Sequence, residues 1–214
     1  LEGRKAQFID ELMKQDSTKE QAEKEVSLSI ERLIYYAGWC DKFQQLYSTV
    51  NPVASSHFNF SAPEPTGVVS IIAPQNNSLI GLVSVIAPII AGGNTCVVLA
   101  SASKPLCAVT FAEVLGTSDV PGGTINILTG KPGELLSWFS DHMDVNAIVF
   151  CENDKEAILK IQQKATLNLK RVLLWNNYNW LLETAQNPYL INDAQEIKTT
   201  WHPIENIGGA KAGY

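Results

Sequence analysis

At 214 residues, the chain is long enough for one large domain, or for one domain with an appended arm. Its composition, 45% hydrophobic and 18% charged, is that of a soluble globular protein and excludes a disordered or fibrous one. The net charge of −6 disfavours nucleic acid and an anionic membrane surface as partners, because both carry charge of the same sign.

The first 48 residues predict helices that pack on a core. Apolar side chains share one helical face in residues 1–15, and Ser17 with Glu20 forms a capping box for a second, longer helix. Along that second helix, apolar residues recur every three or four positions. The predicted core face of the two helices comprises Phe8, Ile9, Leu12, Met13, Val26, Ile30, Leu33, Ala37 and Cys40, and the predicted solvent face comprises Glu25, Glu31, Arg32 and Asp41.

An outlying strand arm is predicted for residues 49–66. Segment 58–61 alternates apolar with polar residues, and it is bounded by Pro52 on one side and by Pro63 and Pro65 on the other. Proline is tolerated at the edge of a sheet but not at its centre. The segment therefore favours a strand that leaves the main body.

From Gly67 onward, short β-branched runs alternate with helical stretches. This alternation predicts an α/β, doubly wound, mostly parallel sheet of Rossmann-like type over residues 67–186, with every strand buried on both faces. A C-terminal strand at 196–201 and a flexible tail complete segment 187–214. The predicted strands are 68–73, 95–100, 124–129, 145–151 and 172–175. Helices are predicted to begin near Ser78, Pro105, Gly133 and Asn153, and the first of them to end at Gly92-Gly93. The end, Gly208-Gly209-Ala210, is expected to be frayed.

The cellular setting is inferred from cysteines and apolar runs. The four cysteines form no CxxC pair and follow no secretory leader, which indicates reduced thiols and a cytoplasmic protein. The longest apolar run, residues 79–91, is shorter than the ~18 residues that a membrane span needs, so a buried helix is expected. The chain opens in mid-helix without a methionine, which is typical of a fragment of a longer protein.

Several segments together resemble a known family. GVVSIIAPQNNSLIGLVSVIAPIIAGGNTCVVLA, SDVPGGTINILTG and DVNAIVF follow one another as in the cofactor-binding domain of the aldehyde dehydrogenase superfamily, over about residues 20–175. The later segments NLKRVLLWNNYNW and EIKTTWHPIE look most like the truncated second domain at the carboxyl end of family 16 aldehyde dehydrogenases. The resemblance implies a sheet of the aldehyde-dehydrogenase cofactor-domain type.

The resemblance also implies catalytic positions, and most of them are altered here. Asn76 matches the family's oxyanion-stabilising asparagine, although a turn residue before a helix is the plainer interpretation. Trp175 stands where the family has its glutamate base, and an indole cannot accept a proton. The nucleophilic cysteine belongs to a later catalytic domain, and this sequence has no cysteine after Cys151.

Cofactor contacts are altered in the same way. Ile72, Pro74 and Asn76 remain as candidate cofactor-binding residues. The family's ribose-binding lysine and glutamate are replaced within Ala100-Ser101-Ala102-Ser103, and its Thr-Gly-Ser turn by Cys151-Glu152-Asn153-Asp154. Two carboxylates at a helix N-terminus would repel a diphosphate. We therefore expect no cofactor, with NAD or NADP as the candidates if one binds.

The other candidate functional residues also have purely structural interpretations. Cys151 is predicted at the carboxyl end of a strand, where Lys155 would lower its thiol pKa, whereas Cys96 and Cys107 are predicted in the core. The basic pair Lys170-Arg171 is interpreted as a solvated strand start. No metal is expected, because the histidines share no metal-like spacing with one another or with a cysteine; they are His57, His142 and His202.

Two functional hypotheses follow. The first is a non-catalytic aldehyde-dehydrogenase-like module for oligomerisation or scaffolding, whose partner is a second copy or the catalytic aldehyde dehydrogenase domain of the same polypeptide. Phe58, Phe60 and residues 199–201 would supply the apolar edges for that contact. The alternative is the cofactor-domain portion of an NAD(P)-dependent aldehyde dehydrogenase that still binds dinucleotide weakly.

Overall fold

A five-stranded parallel sheet lies at the centre of the computed structural model, which describes residues 1–204. The predicted frayed end, Gly208-Gly209-Ala210, lies outside the described residues. The strands are β1 (Thr49–Asn51), β2 (His57–Pro65), β3 (Val68–Ile72), β4 (Thr95–Leu99), β5 (Ile125–Leu128), β6 (Ala147–Phe150), β7 (Arg171–Leu174) and β8 (Gln195–Pro203). The helices are α1 (Lys5–Met13), α2 (Lys19–Ala37), α3 (Phe43–Tyr47), α4 (Leu79–Ala91), α5 (Leu106–Gly116), α6 (Pro132–Asp141), α7 (Lys155–Ala165) and α8 (Tyr189–Asp193).

The strand order of the central sheet is β5-β4-β3-β6-β7. From β3 the chain moves outward to β4 and β5, then returns to the other side of β3 for β6 and β7. All four pairings are parallel, and a helix lies between successive strands, so the predicted doubly wound α/β sheet is confirmed. Ile72 lies beside both Leu99 and Phe150, so three strands end at one edge.

Burial decreases from the centre of the sheet to its edges. All of β6 and most of β3 are buried, whereas β5 and β7 are half-buried because each pairs with one neighbour in the described chain. The prediction that all five strands are buried on both faces is therefore wrong for these edge strands. The buried helix predicted at residues 79–91 is confirmed as α4, and Gly93 after its end has the predicted positive φ, +83°. No helix in residues 1–204 is long and apolar enough to cross a membrane.

The amino-terminal helices pack on this sheet with a different cap from the predicted one. Thr18 begins α2: its side chain accepts from the Gln21 amide, and the Gln21 side chain accepts from the Thr18 amide. The capping box thus lies one residue after the predicted one. In α1, Phe8 and Leu12 are buried as predicted, whereas Met13 is exposed.

The buried stripe of α2 is displaced by about one residue in the opposite direction, toward the amino end. The structure buries Glu25 and Arg32, which the sequence predicts in solvent, and exposes Ala37 and Cys40, which it predicts in the core. Cys40 lies after the end of α2, so the helical repeat does not place its side chain on the buried face. Polar groups on α4 bond to both buried charged side chains, which allows their burial.

The arm is an antiparallel sheet in the order β1-β2-β8. β2 and β8 pair along their whole nine-residue lengths, whereas β1 contributes only three residues. Within residues 1–204, no strand pairs with the outer edge of β8. Strands predicted at 58–61 and 196–201 are confirmed and are longer than expected. The division of the chain at 1–48, 49–66, 67–186 and 187–214 stays a prediction.

Lys170 and Arg171 act inside the fold. Lys170 is buried, and its Nζ donates to the carbonyls of His142 at 2.8 Å and Val145 at 2.7 Å. Arg171 donates to the carbonyl of Asp193 at 3.1 Å, just before β8. Burial lowers the pKa of Lys170. The interpretation as a solvated strand start is therefore wrong, because these cations join the amino ends of β6 and β7 to neighbouring segments.

Candidate functional site

The crevice at the carboxyl ends of the strands is the candidate site. β3 and β6 are neighbours in the sheet, but their following helices belong to opposite halves of the fold. Ligands of doubly wound sheets bind at such a switch point, above the carboxyl ends. In this fold that position lies between the four loops that follow β3, β4, β6 and β7.

Gln75 lies in the loop after β3 and bonds to two other loops. Its backbone N–H donates to Glu152 Oε1, after β6, at 2.8 Å. Its side-chain Oε1 accepts from the Ala102 N–H, after β4, at 2.8 Å, and its Nε2 donates to the Ala73 carbonyl at 2.8 Å. One residue thus connects the carboxyl ends of three strands.

Two serines strengthen the connection between the loops after β3 and β4. The hydroxyls of Ser101 and Ser103 both donate to the Gln75 carbonyl, at 2.7 and 2.8 Å. The Ser101 Oγ also accepts from the Lys104 N–H at 3.1 Å. The side chains that replace the family's ribose-binding pair therefore bond to the protein itself.

The loops after β6 and β7 are connected as well. Asn153 Nδ2 donates to the Asn176 carbonyl at 3.0 Å. Asp154 caps α7, because its Oδ1 accepts from the N–H groups of Glu156 and Ala157 at 3.0 and 3.1 Å. The residues at this helix N-terminus do not fit a diphosphate, since a carboxylate already bonds to the amides that an anion would use.

The candidate cofactor residues lie together around the end of β3, but they differ in accessibility. The side chains of Ile72 and Pro74 are buried, whereas Asn76 is exposed in the turn before α4. That turn approaches α4 so closely that a Cβ at Gly81 would lie 2.9 Å from the Asn77 Cβ. The position of Asn76 agrees with a turn residue. Its role in catalysis or cofactor binding stays a prediction.

Trp175, which the sequence resemblance places at the family's glutamate base, is a core residue. It is 2% exposed, and its indole Nε1 donates to Asp193 Oδ2 at 3.0 Å. The chain after it folds back onto the amino-terminal helices. Arg32 donates to the Leu182 carbonyl at 3.0 Å, and Tyr36 Oη donates to the Asn187 carbonyl at 3.3 Å. Trp175 therefore offers no proton acceptor to the crevice.

Glu25 is a buried carboxylate that the sequence pattern placed in solvent. Its Oε1 accepts from the Ile80 N–H at 3.1 Å, in the first turn of α4. Burial raises the pKa of Glu25, and hydrogen bonds from the backbone of α4 partly oppose that rise. The amino end of α4, next to the crevice, is therefore capped by the buried carboxyl group of Glu25.

The thiols provide no nucleophile in the crevice. Cys151 is 7% exposed, and burial, assisted by the Glu152 carboxylate, raises its pKa well above the ordinary value. The hypothesis that Lys155 lowers this pKa is therefore wrong. Cys96 and Cys107 lie in the core as predicted, and burial raises each pKa to about 12. Across the described part of the chain, no group of three or more histidine, cysteine, aspartate or glutamate side chains is placed to hold a metal ion.

The doubly wound sheet, its switch-point crevice and the antiparallel arm define an α/β protein of the cofactor-domain class. A family-wide sequence profile described as the aldehyde dehydrogenase family matches residues 1–177. The chain therefore belongs to the aldehyde dehydrogenase family.

Individual relatives agree with this assignment. Cytosolic 10-formyltetrahydrofolate dehydrogenase of Xenopus tropicalis is 35% identical over 150 residues, which cover 70% of this chain and 17% of that protein. PnpE, known from Pseudomonas sp. WBC-3, has been solved in complex with nicotinamide adenine dinucleotide; it aligns with a TM-score of 0.75 at 25% identity, over 81% of this chain and 35% of its own. The chain thus spans about a sixth of the first relative and about a third of the second.

Proposed function

We propose that the chain is a non-catalytic aldehyde-dehydrogenase-like module that acts in oligomerisation or scaffolding of an aldehyde dehydrogenase. The main support for this proposal is the set of exposed apolar side chains on the arm, the sheet formed by β1, β2 and β8. Val50 and Phe58 are exposed on one face, and Ile197 and Trp201 on the other. A hollow of about 410 Å³ lies beside Val50, Phe58 and Phe60. Apolar side chains on a projecting sheet are typical of a surface that a protein partner covers.

The crevice supports the non-catalytic part of the proposal. Trp175 occupies the base position and is buried, and the loops after β3, β4, β6 and β7 bond to one another. Because proton abstraction needs a basic atom that reaches the substrate, no step of aldehyde oxidation is assigned to this chain.

The proposed partner is a second copy of the chain or the catalytic aldehyde dehydrogenase domain of the same polypeptide. Size-exclusion chromatography with light scattering would test both, on the chain alone and mixed with such a domain. We expect a dimer or a complex that Phe58→Glu weakens by about tenfold or more, because a charge would be desolvated at the contact. Trp138→Glu is the matched control, since Trp138 is also an exposed aromatic residue but lies on α6, away from the arm.

A strict monomer that captures no dehydrogenase domain would contradict the assembly role. Turnover is a separate measurement. Purified chain incubated with acetaldehyde and NAD is expected to form no NADH, and reproducible NADH formation would contradict the non-catalytic role.

The alternative is the cofactor-domain portion of an NAD(P)-dependent aldehyde dehydrogenase that binds dinucleotide weakly. One observation favours it: the fold is shared with PnpE, which was solved with the dinucleotide. Calorimetric titration with NAD and NADP distinguishes the two. Absent or millimolar binding supports the scaffold, whereas low-micromolar binding supports the alternative.

A further inference from the structure

The residues that depart from the family pattern around the crevice form two hydrogen-bonded groups, one around Gln75 and one between Asn153 and Asn176. The resemblance to the family implies that Gln75 stands at a tryptophan and Asn176 at a glycine, and that Ala100-Ser101-Ala102-Ser103 and Cys151-Glu152-Asn153-Asp154 replace the ribose-binding region and the Thr-Gly-Ser turn. Gln75 bonds to Glu152 and to all three residues of 101–103, and Asn153 bonds to Asn176. Each of these bonds pairs a main-chain N–H or carbonyl with one of the replacing side chains, so the polar groups introduced here have partners within the protein.

The central contact of the group around Gln75 crosses the switch point. Gln75 follows β3 and Glu152 follows β6, and these strands are neighbours whose helices diverge. The Gln75 N and Glu152 Oε1 are 2.8 Å apart, which is direct hydrogen-bond contact. No phosphate oxygen fits between them. An external anion that bonds to the Gln75 N–H must first displace the carboxylate.

Displacement is unfavourable for two reasons. The bond from Gln75 to an ionised carboxylate is charge-assisted, and the carboxylate is held close by the chain itself. A displaced carboxylate would also remain beside the diphosphate and repel it. Gln75 has further bonds to Ala73, Ala102, Ser101 and Ser103, so its backbone cannot turn away readily.

We propose that Glu152 and Gln75 form a latch, an internal carboxylate–amide contact that closes the crevice and excludes dinucleotides. This inference deepens the proposed non-catalytic function and rests on it. The carboxylate takes the place of a bound anion and joins the two halves of the sheet. The latch therefore acts through its hydrogen bond, and the charge of Glu152 without that bond is not sufficient to exclude a dinucleotide.

Substitutions of Glu152 separate the bond from the charge. In Glu152→Ala and Glu152→Ser the side chain is too short to accept a hydrogen bond from the Gln75 N–H. In Glu152→Gln the side chain has the same length and keeps an acceptor oxygen, but it carries no charge. Glu156→Ala is the matched control, because it removes an exposed carboxylate from the same end of α7. Circular dichroism would check that each variant is folded, and the serine variant serves if the alanine variant is not.

Two measurements on these variants test the latch. Amide hydrogen exchange at Gln75 should accelerate by about tenfold or more in the alanine and serine variants, and should stay at the wild-type rate with glutamine or in the control. Titration with inorganic pyrophosphate and with NAD should give dissociation constants about tenfold lower in the alanine and serine variants, and a smaller decrease in the glutamine variant, which loses the charge but keeps an acceptor for the Gln75 N–H.

Unchanged exchange at Gln75 in folded alanine and serine variants would overturn the latch. So would equal gains of binding in the glutamine and alanine variants, since the charge would then be the whole cause. Low-micromolar NAD binding by the wild type would overturn both the latch and the proposed function, whereas unchanged exchange at Gln75 would overturn the latch alone. The two failures are therefore distinguishable.

Discussion

At the scale of single residues, the four cysteine thiols differ in their exposure to solvent, and this difference predicts which of them reacts. Cys40 is exposed, whereas Cys96, Cys107 and Cys151 are buried with raised pKa values. Iodoacetamide reacts with an accessible thiolate. Native protein should therefore be labelled at Cys40 alone, and Cys40→Ser should abolish native labelling. Peptide mass mapping checks both, and native labelling of Cys151 in the serine variant would contradict the prediction.

Glu25 gives a second residue-scale prediction, which concerns pH. Burial raises its pKa above the ordinary 4.5, so folding favours the protonated form. The stability from this preference is present below the unfolded pKa and is lost as pH rises through the folded pKa. Glu25→Gln keeps an acceptor for the Ile80 N–H without titrating, so its stability relative to wild type should increase from about pH 4 to about pH 7. Denaturant unfolding at both pH values measures this difference.

Glu25→Ala is the companion variant. It leaves the N–H of Ile80 buried without its carboxylate partner, which costs about 1–3 kcal/mol. An equal loss of stability in the glutamine and alanine variants at neutral pH would contradict the capping role of Glu25.

At the scale of the element, segment 176–194 depends on α2. Arg32 is 1% exposed, and it donates to Ser84 Oγ at 2.6 Å on α4 and to the Leu182 carbonyl at 3.0 Å. Arg32→Met fills a similar volume but removes both bonds. We expect a loss of about 1–3 kcal/mol in unfolding free energy, with faster proteolysis within segment 176–194. Glu31→Ala, on the exposed face of α2, is the control.

Denaturant unfolding and limited proteolysis with mass spectrometry provide the two measurements for Arg32→Met. Uniformly faster proteolysis along the whole chain would contradict the specific link between α2 and this segment.

The elements were predictable where the signal is local. Strands β3 to β7 follow from β-branched apolar runs, and α4 from a long apolar stretch ended by glycines. The phase of α2 was not predictable, because Ser17 with Glu20 and Thr18 with Gln21 are equivalent capping signals and only tertiary contacts select between them. The burial of Glu25 and Arg32 depends on α4 in the same way.

The candidate site was predictable only in part. Each departure from the family pattern, such as Gln75 or Glu152, is visible in the sequence. Their hydrogen bonds are not, because they join residues 23 to 77 positions apart. The carboxyl-end edge follows from the fold class, but the pairing of side chains across it requires the register of β3 with β4 and β6.

At the scale of the whole molecule, the body and the arm should differ in stability. One apolar cluster joins side chains from Phe8 to Ala194, so the helices, the central sheet and segment 176–194 share a core. The arm pairs its strands through backbone hydrogen bonds but leaves Phe58, Ile197 and Trp201 exposed. Because opening of the arm exposes little additional apolar surface, it should occur without unfolding of the body.

Amide hydrogen exchange on the free chain tests this difference. Amides of β3 and β6 should exchange only through global unfolding, with a denaturant dependence equal to that of the whole chain, whereas amides of β2 and β8 should exchange through a smaller opening. When a second copy or a catalytic dehydrogenase domain binds, protection should increase along the arm and remain unchanged at β3. Equal protection of arm and body in a monomer would mean that the arm is already stabilised by the body, and the physical reason for a partner on its exposed faces would disappear.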